Sequence, residues 1–314
     1  MEDGVFNHIP VMPREVTLWM DPKPNGVYLD GTIGGGGHSR EILVASGGTA
    51  TLYGLDRDPA AIAAASAKLA VFPNFHVIHG NFHQSKALLR QAGLSAVNGA
   101  LLDLGVSSHQ LDTPVRGFSY HEDAPLDMRM DPTRGETAAE YLATVSVEEF
   151  CRVLREYGEE RWAARIAAVL AERRVVRPIL TTGDLVGLVD AAIPRAVRRR
   201  EDGHPARRTF QALRIALNDE LDPLDAALCD LADCMALGGR LLVITFHSLE
   251  DRIVKNVFRR FQNPCVCPAK SPLCTCGRKP VGRILAGGPV CPSAEEVARN
   301  PRARTAKLRV FERR

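Results

Sequence analysis

Short apolar runs alternate with helical periodicities over the first hundred residues. Gly26–Asp30, Thr51–Asp56, Phe75–His79 and Gly99–Leu104 read as strands. Between them, a glycine cluster leads into a helix from about Ser39, and an alanine-rich helix begins near Pro59, a residue suited to a first helical turn. Strands separated by helices predict a parallel sheet covered on both faces. From Gln110 to Arg208 the pattern turns helical, with helices expected near Ala138–Tyr141, Val147–Tyr157, Glu160–Arg174 and Thr182–Ala192. The α/β pattern then resumes. Helices are expected over Thr209–Leu221 and Pro223–Leu237, a strongly apolar strand over Arg240–Phe246, and β-like stretches at Arg283–Leu285 and Lys307–Phe311. The economical reading is one α/β domain, residues 1–109 and 209–314, interrupted by a helical insertion at 110–208.

Composition adds little until charge is mapped. Hydrophobic residues make up 45% and charged residues 25% of the 314, the balance of a globular protein rather than a disordered chain. No uncharged apolar run reaches the ~18 residues of a membrane span. The acidic start Met1-Glu2-Asp3 lacks an apolar segment, so a cytoplasmic location is expected and no membrane association. The net charge of +3 hides an asymmetry. Arg252–Arg314 holds fifteen Lys/Arg and three Asp/Glu, a net of +12, which leaves −9 for residues 1–251. A basic end on an acidic body suits a polyanionic partner, or is simply a solvated surface. Arg195–Arg208 adds six arginines against Glu201 and Asp202.

The strongest local signal is Asp30-Gly31-Thr32-Ile33-Gly34-Gly35-Gly36-Gly37-His38, after a strand and before a helix. Four consecutive glycines cost more chain entropy than a plain turn requires, so the segment reads as ligand-binding. It fails the dinucleotide pattern G-x-G-x-x-G, which would need glycine where Ser39 stands. An acidic strand end followed by a glycine-rich turn is similar instead to the first motif of class I methyltransferases, which bind S-adenosylmethionine. Asp56 ends the second strand, where a carboxylate can accept hydrogen bonds from ribose hydroxyls. Phe82, after the third strand, suits either an adenine face or the core. Asp103 ends the fourth, and His247 follows the strand Arg240–Phe246 at the same sheet edge, with catalytic and structural roles both open.

The whole constellation resembles the bacterial ribosomal RNA small-subunit methyltransferase H family. The matching runs include His8–Val11, Asp30–Arg40, Asp56-Arg57-Asp58-Pro59, Leu102–Ser108 with Gln110-Leu111-Asp112, Arg116–Ser119, and Pro125–Asp131. They continue through Tyr157–Arg161, Arg208–Arg214, Gly238–Arg240, Phe246–Arg252 and Asn300–Arg304. The resemblance implies a class I, Rossmann-like methyltransferase sheet with a helical inserted domain that helps hold RNA. It implies S-adenosyl-L-methionine as cofactor, held at the positions of Gly36, Gly37, His38, Asp56, Phe82, Asp103 and Gln110. The activity implied is methylation of cytosine N4 in the decoding region of 16S ribosomal RNA, within the small ribosomal subunit, by a chain able to form a homodimer. Asp103 is the candidate catalytic acceptor, and Arg208, Phe210, Gln211, His247 and Ser248 are candidate substrate contacts. A DNA amino-methyltransferase and a non-catalytic RNA-binding assembly protein are the alternatives. The first is disfavoured because Asp103-Leu104-Gly105-Val106 lacks the Pro-Pro-aromatic motif of many such enzymes.

Cys265-x-Cys267 and Cys274-x-Cys276 stand apart. Structural zinc sites usually space their ligands C-x₂₋₄-C, so the pattern is read as a reduced cysteine-rich loop or an oxidation-formed disulfide, with no metal assigned. Family members can lack the cluster, which implies that catalysis does not require it.

Overall fold

The computed structural model describes residues 10–199, 203–268 and 273–314. The chain divides into two compact units, Met1–Gly105 with Leu221–Arg314, and Val106–Glu220.

The first unit is built on seven strands: β1 (Val27–Asp30), β2 (Thr51–Asp56), β3 (Phe75–His79), β4 (Val97–Asp103), β5 (Met235–Thr245), β6 (Gly282–Ile284) and β7 (Lys307–Arg313). They form one sheet in the order β3-β2-β1-β4-β5-β7-β6. The first five are parallel, and β7 runs antiparallel to both of its neighbours. The parallel strands are those that the alternating pattern predicts, and the sheet is the α/β, Rossmann-like one that the resemblance implies. Its register gathers the carboxyl ends at one edge, with Asp30 two residues short of Asp56 and Asp103: Asp30 pairs with Gly54 and Leu101, Asp56 with His79, and Asp103 with Ile244.

Side chains alternate between the two faces of each strand. Leu241 and Val243 join Leu29, Leu55, Leu102, Phe258 and Phe311 on one face. Leu242 and Ile244 join Tyr28, Leu52, Leu101, Leu308 and Val310 on the other. Helices cover both faces, so β5 is apolar on both sides, which explains its near-continuous hydrophobic run. Leu224–Asp233 and Ser248–Gln262 supply the first cover; Pro13–Met20, Gly37–Ala45 and Pro59–Leu69 supply the second. Local sequence starts these helices where they are needed. Asp58 caps the third of that second set, accepting from the Ala60 N–H at 3.0 Å, and Pro59 takes the first helical position.

The strand that the sequence places at Arg240–Phe246 starts earlier, at Met235. Met235 pairs with Val97, and a register shift before Gly99 absorbs the extra residues, so the preceding helix stops at Asp233.

The second unit is helical, and its described residues contain no named strand. Ala138–Thr144, Val147–Glu156, Ala163–Val176, Thr182–Ala192 and Arg207–Asn218 surround a core that includes Phe150, Leu154, Ile166, Leu185, Phe210 and Leu213. Capping boxes open three of its helices, at Ser107/Gln110, Thr137/Glu140 and Thr181/Asp184. The helix read as the return of the α/β pattern, Arg207–Asn218, belongs to this unit. Its apolar stripe of Phe210, Leu213 and Ala212 packs into the helical core rather than onto the sheet.

Candidate active site

The carboxyl ends of the parallel strands bring Asp30, Asp56, Asp103 and the turn after β5 to one edge of the first unit. The turn after β1 is the floor of this edge. Gly34 and Gly36 lie in the left-handed region, at φ 49° and 72°, which strains any residue with a Cβ. Gly36 is the N-cap of helix Gly37–Ala45 and offers no side chain to its first amides. An uncapped helix start of this kind favours a ligand with negative charge or acceptor atoms.

Three polar residues fix the turn. Asp30 is buried, accepts from Ser39 Oγ at 2.7 Å and takes the Thr32 N–H at 3.2 Å. Burial, partly opposed by His38, pushes its carboxyl up to about 6. Thr32 Oγ1 accepts the Asp103 N–H at 2.6 Å, tying the turn to the end of β4. Neither Thr32 nor Ser39 stands out from sequence as a site residue. Their signal is their place beside Asp30 in the glycine-rich run.

Asp56 receives one main-chain N–H on each carboxylate oxygen, from Gly34 at 2.9 Å and from Asp58 at 2.9 Å. Burial raises its pKa, and the two N–H groups counter that. Each oxygen keeps lone-pair capacity, as needed for a pair of vicinal hydroxyls. His38 Nε2 lies 3.4 Å from Asp103 Oδ2, an ion-pair approach rather than an aligned hydrogen bond. Burial alone would lower the His38 pKa, but Asp103, Asp30 and Glu296 together raise it. Asp103 Oδ1 is buried with no hydrogen-bond partner among the described residues. A buried orphan acceptor is costly, and a ligand N–H or ammonium would satisfy it.

Glu250 organises the turn after β5. Its Oε2 accepts the N–H groups of Phe246 at 2.8 Å and His247 at 3.2 Å, and its Oε1 lies 3.1 Å from His247 Nε2. Glu250 is buried, so it positions His247 rather than facing solvent. Sequence reasoning misses it, although an acidic residue three positions into a helix is a recognisable capping signal. Ser248 is exposed at the same helix start. Asp251, one residue further, locks this helix to β7 through Arg309 Nε at 2.7 Å and Lys307 Nζ at 3.4 Å.

Other expected site residues sit differently. Phe82 is buried in the apolar core with Leu29, Leu55 and Leu102, its ring edge-on to His83 at 4.2 Å, so it forms a wall of the turn rather than an open stacking face. Gln110 lies in the second unit, where its Oε1 accepts the Ser107 N–H at 3.0 Å and closes a capping box. Phe210, expected to touch substrate, is 4% exposed within the helical core, edge-on to Tyr120 at 5.5 Å. Its place on the apolar stripe decides that. Gln211 Nε2 donates to the Tyr157 carbonyl at 3.1 Å, and Arg208 is half-buried on the same helix. In the arginine-rich stretch, Arg198 pairs with Asp190 at 2.6 Å, while Arg200, Glu201 and Asp202 lie outside the described residues, as does His8.

Asp56, the uncapped start at Gly36 and the orphan Asp103 Oδ1 form a donor and acceptor set that fits a nucleoside carrying an amino-acid tail. Residues 5–314 match the family model described as the MraW methylase family. A protein of Heliobacterium modesticaldum named ribosomal RNA small subunit methyltransferase H is 51% identical, over 98% of this chain and 99% of its own length. Proteins of the same name from Geobacter sulfurreducens and Symbiobacterium thermophilum are each 52% identical. They cover 98% and 97% of this chain and 99% and 96% of their own.

Proposed function

The chain belongs to the MraW methylase family, and from that premise we propose that it methylates the exocyclic N4 amine of a cytidine in the decoding region of 16S ribosomal RNA. The substrate is the RNA as held in the small ribosomal subunit. The relatives' shared name supports the RNA. The buried, unpartnered Asp103 Oδ1 beside the glycine-rich turn is the observation that carries the chemistry.

S-adenosylmethionine, when bound, supplies the sulfonium methyl group. Asp56 would take the ribose hydroxyls on its two oxygens, and the turn Gly34–His38 would approach the ligand with backbone alone. Asp103 Oδ1 would accept a hydrogen from an amine, either the methionine ammonium or the target N4. The cytosine N4 lone pair is delocalised into its ring, so the amine is a poor nucleophile and its alignment is the main task. An acceptor on its hydrogens favours the pyramidal nitrogen and offsets the positive charge that develops there. His247, held by Glu250, and Ser248 are further candidates for that contact. The base must leave its stack to reach the strand edge.

The test is incubation of purified enzyme and labelled S-adenosylmethionine with small ribosomal subunits, followed by nucleoside mass spectrometry. Label in N4-methylcytidine is expected. Label in another nucleoside, or transfer to DNA in preference to ribosomal RNA, overturns the reading. Asp103→Asn separates the two roles of its carboxylate. Slow single-turnover chemistry with retained cofactor affinity assigns Asp103 to the target amine. Weakened affinity with normal chemistry assigns it to the cofactor.

A further inference from the structure

We propose that Cys265, Cys267, Cys274 and Cys276 form a closed structural zinc site in the segment between helix Ser248–Gln262 and β6. The proposal departs from the metal-free reading of their spacing. The four Sγ atoms all lie within 4.8 Å of one another. Cys274 Sγ is 3.5 Å from both Cys265 and Cys276 and 4.0 Å from Cys267, and Cys265 is 3.9 Å from Cys276. A tetrahedron with zinc–sulfur bonds of about 2.3 Å has sulfur–sulfur edges of about 3.8 Å. The observed separations bracket that edge. They are far from the roughly 2.0 Å of a disulfide, and all four residues are free cysteines.

The short C-x-C spacing is compatible with this geometry. In extended chain, residues two apart point to the same side, so each pair presents both sulfurs together. A main-chain donor reaches the cluster: the Thr275 N–H donates to Cys267 Sγ at 3.4 Å. Gly277, directly after Cys276, adopts φ 66°, in the left-handed region that favours glycine. Four thiolates around a divalent ion would carry a net charge of −2.

Among the described residues of the segment, Val266 and Leu273 are 62% and 75% exposed and lie outside the apolar cores. Its ends are anchored by Val281 N–H to the Phe261 carbonyl at 2.9 Å and Ile284 N–H to Gln262 Oε1 at 2.7 Å. Four protein sulfurs leave no open coordination position, which makes the site structural rather than catalytic. Its place agrees. Helix Ser248–Gln262 starts at the carboxyl edge of β5 and runs back, and Gly282 opens β6 opposite Arg313, at the other edge of the sheet. The site therefore stands at the opposite edge of the sheet from Asp56 and Asp103.

The experiment is metal analysis of the full chain, purified without a metal-binding tag in reducing buffer. One zinc per chain is expected. Cys274→Ser and Cys276→Ser should each lower zinc occupancy about tenfold or more at limiting free zinc. Cys291→Ser, an exposed cysteine outside the cluster, should retain it. On wild-type protein stripped of metal, added Co²⁺ should give the visible absorption of tetrahedral thiolate coordination and be displaced by Zn²⁺. Cofactor affinity of Cys274→Ser, by calorimetry, should match wild type. Metal-free thiols, a disulfide within the cluster, bound iron in place of zinc, or loss of cofactor affinity together with zinc would each overturn the assignment. None of these readouts depends on which nucleoside the enzyme methylates.

Discussion

His38 Nε2 stands 3.4 Å from Asp103 Oδ2, both side chains withdrawn from solvent where helix Gly37–Ala45 begins and β4 ends. Burial disfavours the imidazolium, yet Asp103, Asp30 and Glu296 outweigh it and raise the His38 pKa above its usual 6.5. A raised histidine pKa stabilises the fold fully below 6.5 and ceases to do so as pH climbs through the folded value. NMR titration of the imidazole without cofactor should give a midpoint above 6.5. Asp103→Asn should move it down. An unmoved midpoint would mean that Asp103 is not the partner that charges His38.

Asp56→Ala should weaken S-adenosylmethionine binding by about 1–3 kcal/mol, through loss of the charge-assisted hydrogen bonds expected to the ribose. Gly34 and Asp58 lose an acceptor as well, so part of the effect comes from a looser turn. Calorimetry against the wild type measures it. Equal affinity would place the ribose elsewhere.

Asp30 offers a pH test. Its carboxyl is pushed from 3.8 up to about 6 by burial. Between those values the folded state holds a proton that the unfolded chain has released, so stability falls as pH rises across that window. Relative to Asp30→Asn, the wild type should lose on the order of 1–3 kcal/mol from about pH 4 to about pH 6, and change little above it. Urea unfolding of both proteins at several pH values reads the difference. A gap that stays constant with pH would contradict the shift.

Charge on the RNA side can be tested at the same sheet edge. β7 begins beside Thr245, so Arg304, exposed just before it, lies at the carboxyl edge of β5. Arg304→Ala should leave cofactor affinity unchanged and weaken RNA binding. The salt slope should shrink by roughly 0.7–0.9 for each phosphate that is no longer neutralised. Arg198→Ala should change the slope little, because Asp190 already neutralises that guanidinium. Filter binding across a salt series distinguishes the two. An unchanged slope in Arg304→Ala would remove this arginine from the RNA surface.

The sequence made the sheet and its edge legible because parallel strands buried on both faces leave long apolar runs, and because carboxylates sit at their ends. Asp30, Asp56 and Asp103 could be placed that way. Roles that depend on tertiary partners could not. Phe210 and Phe82 are aromatic residues in matching motifs, and only packing shows both in apolar cores. Arg198 reads as basic surface until Asp190 is found beside it. Glu250, eleven residues beyond Gly239 and inside a charged run, shows its purpose only when its carboxylate is seen under the His247 amide. The cysteines show a related limit, since spacing along the chain says little about how two C-x-C pairs face each other.

The strand that comes last in the chain, β7, lies inside the sheet, between β5 and β6. A ribosome must therefore translate past Arg313 before that place is filled and before Arg309 can reach Asp251. Until then the open flank of β5 is an unpaired edge with an apolar face, the kind of surface on which nascent chains mispair. Folding of this unit thus waits until β7 has been made, and Asp251 and Phe311 are positions where a substitution should lower the yield of folded protein more than the turnover of what does fold.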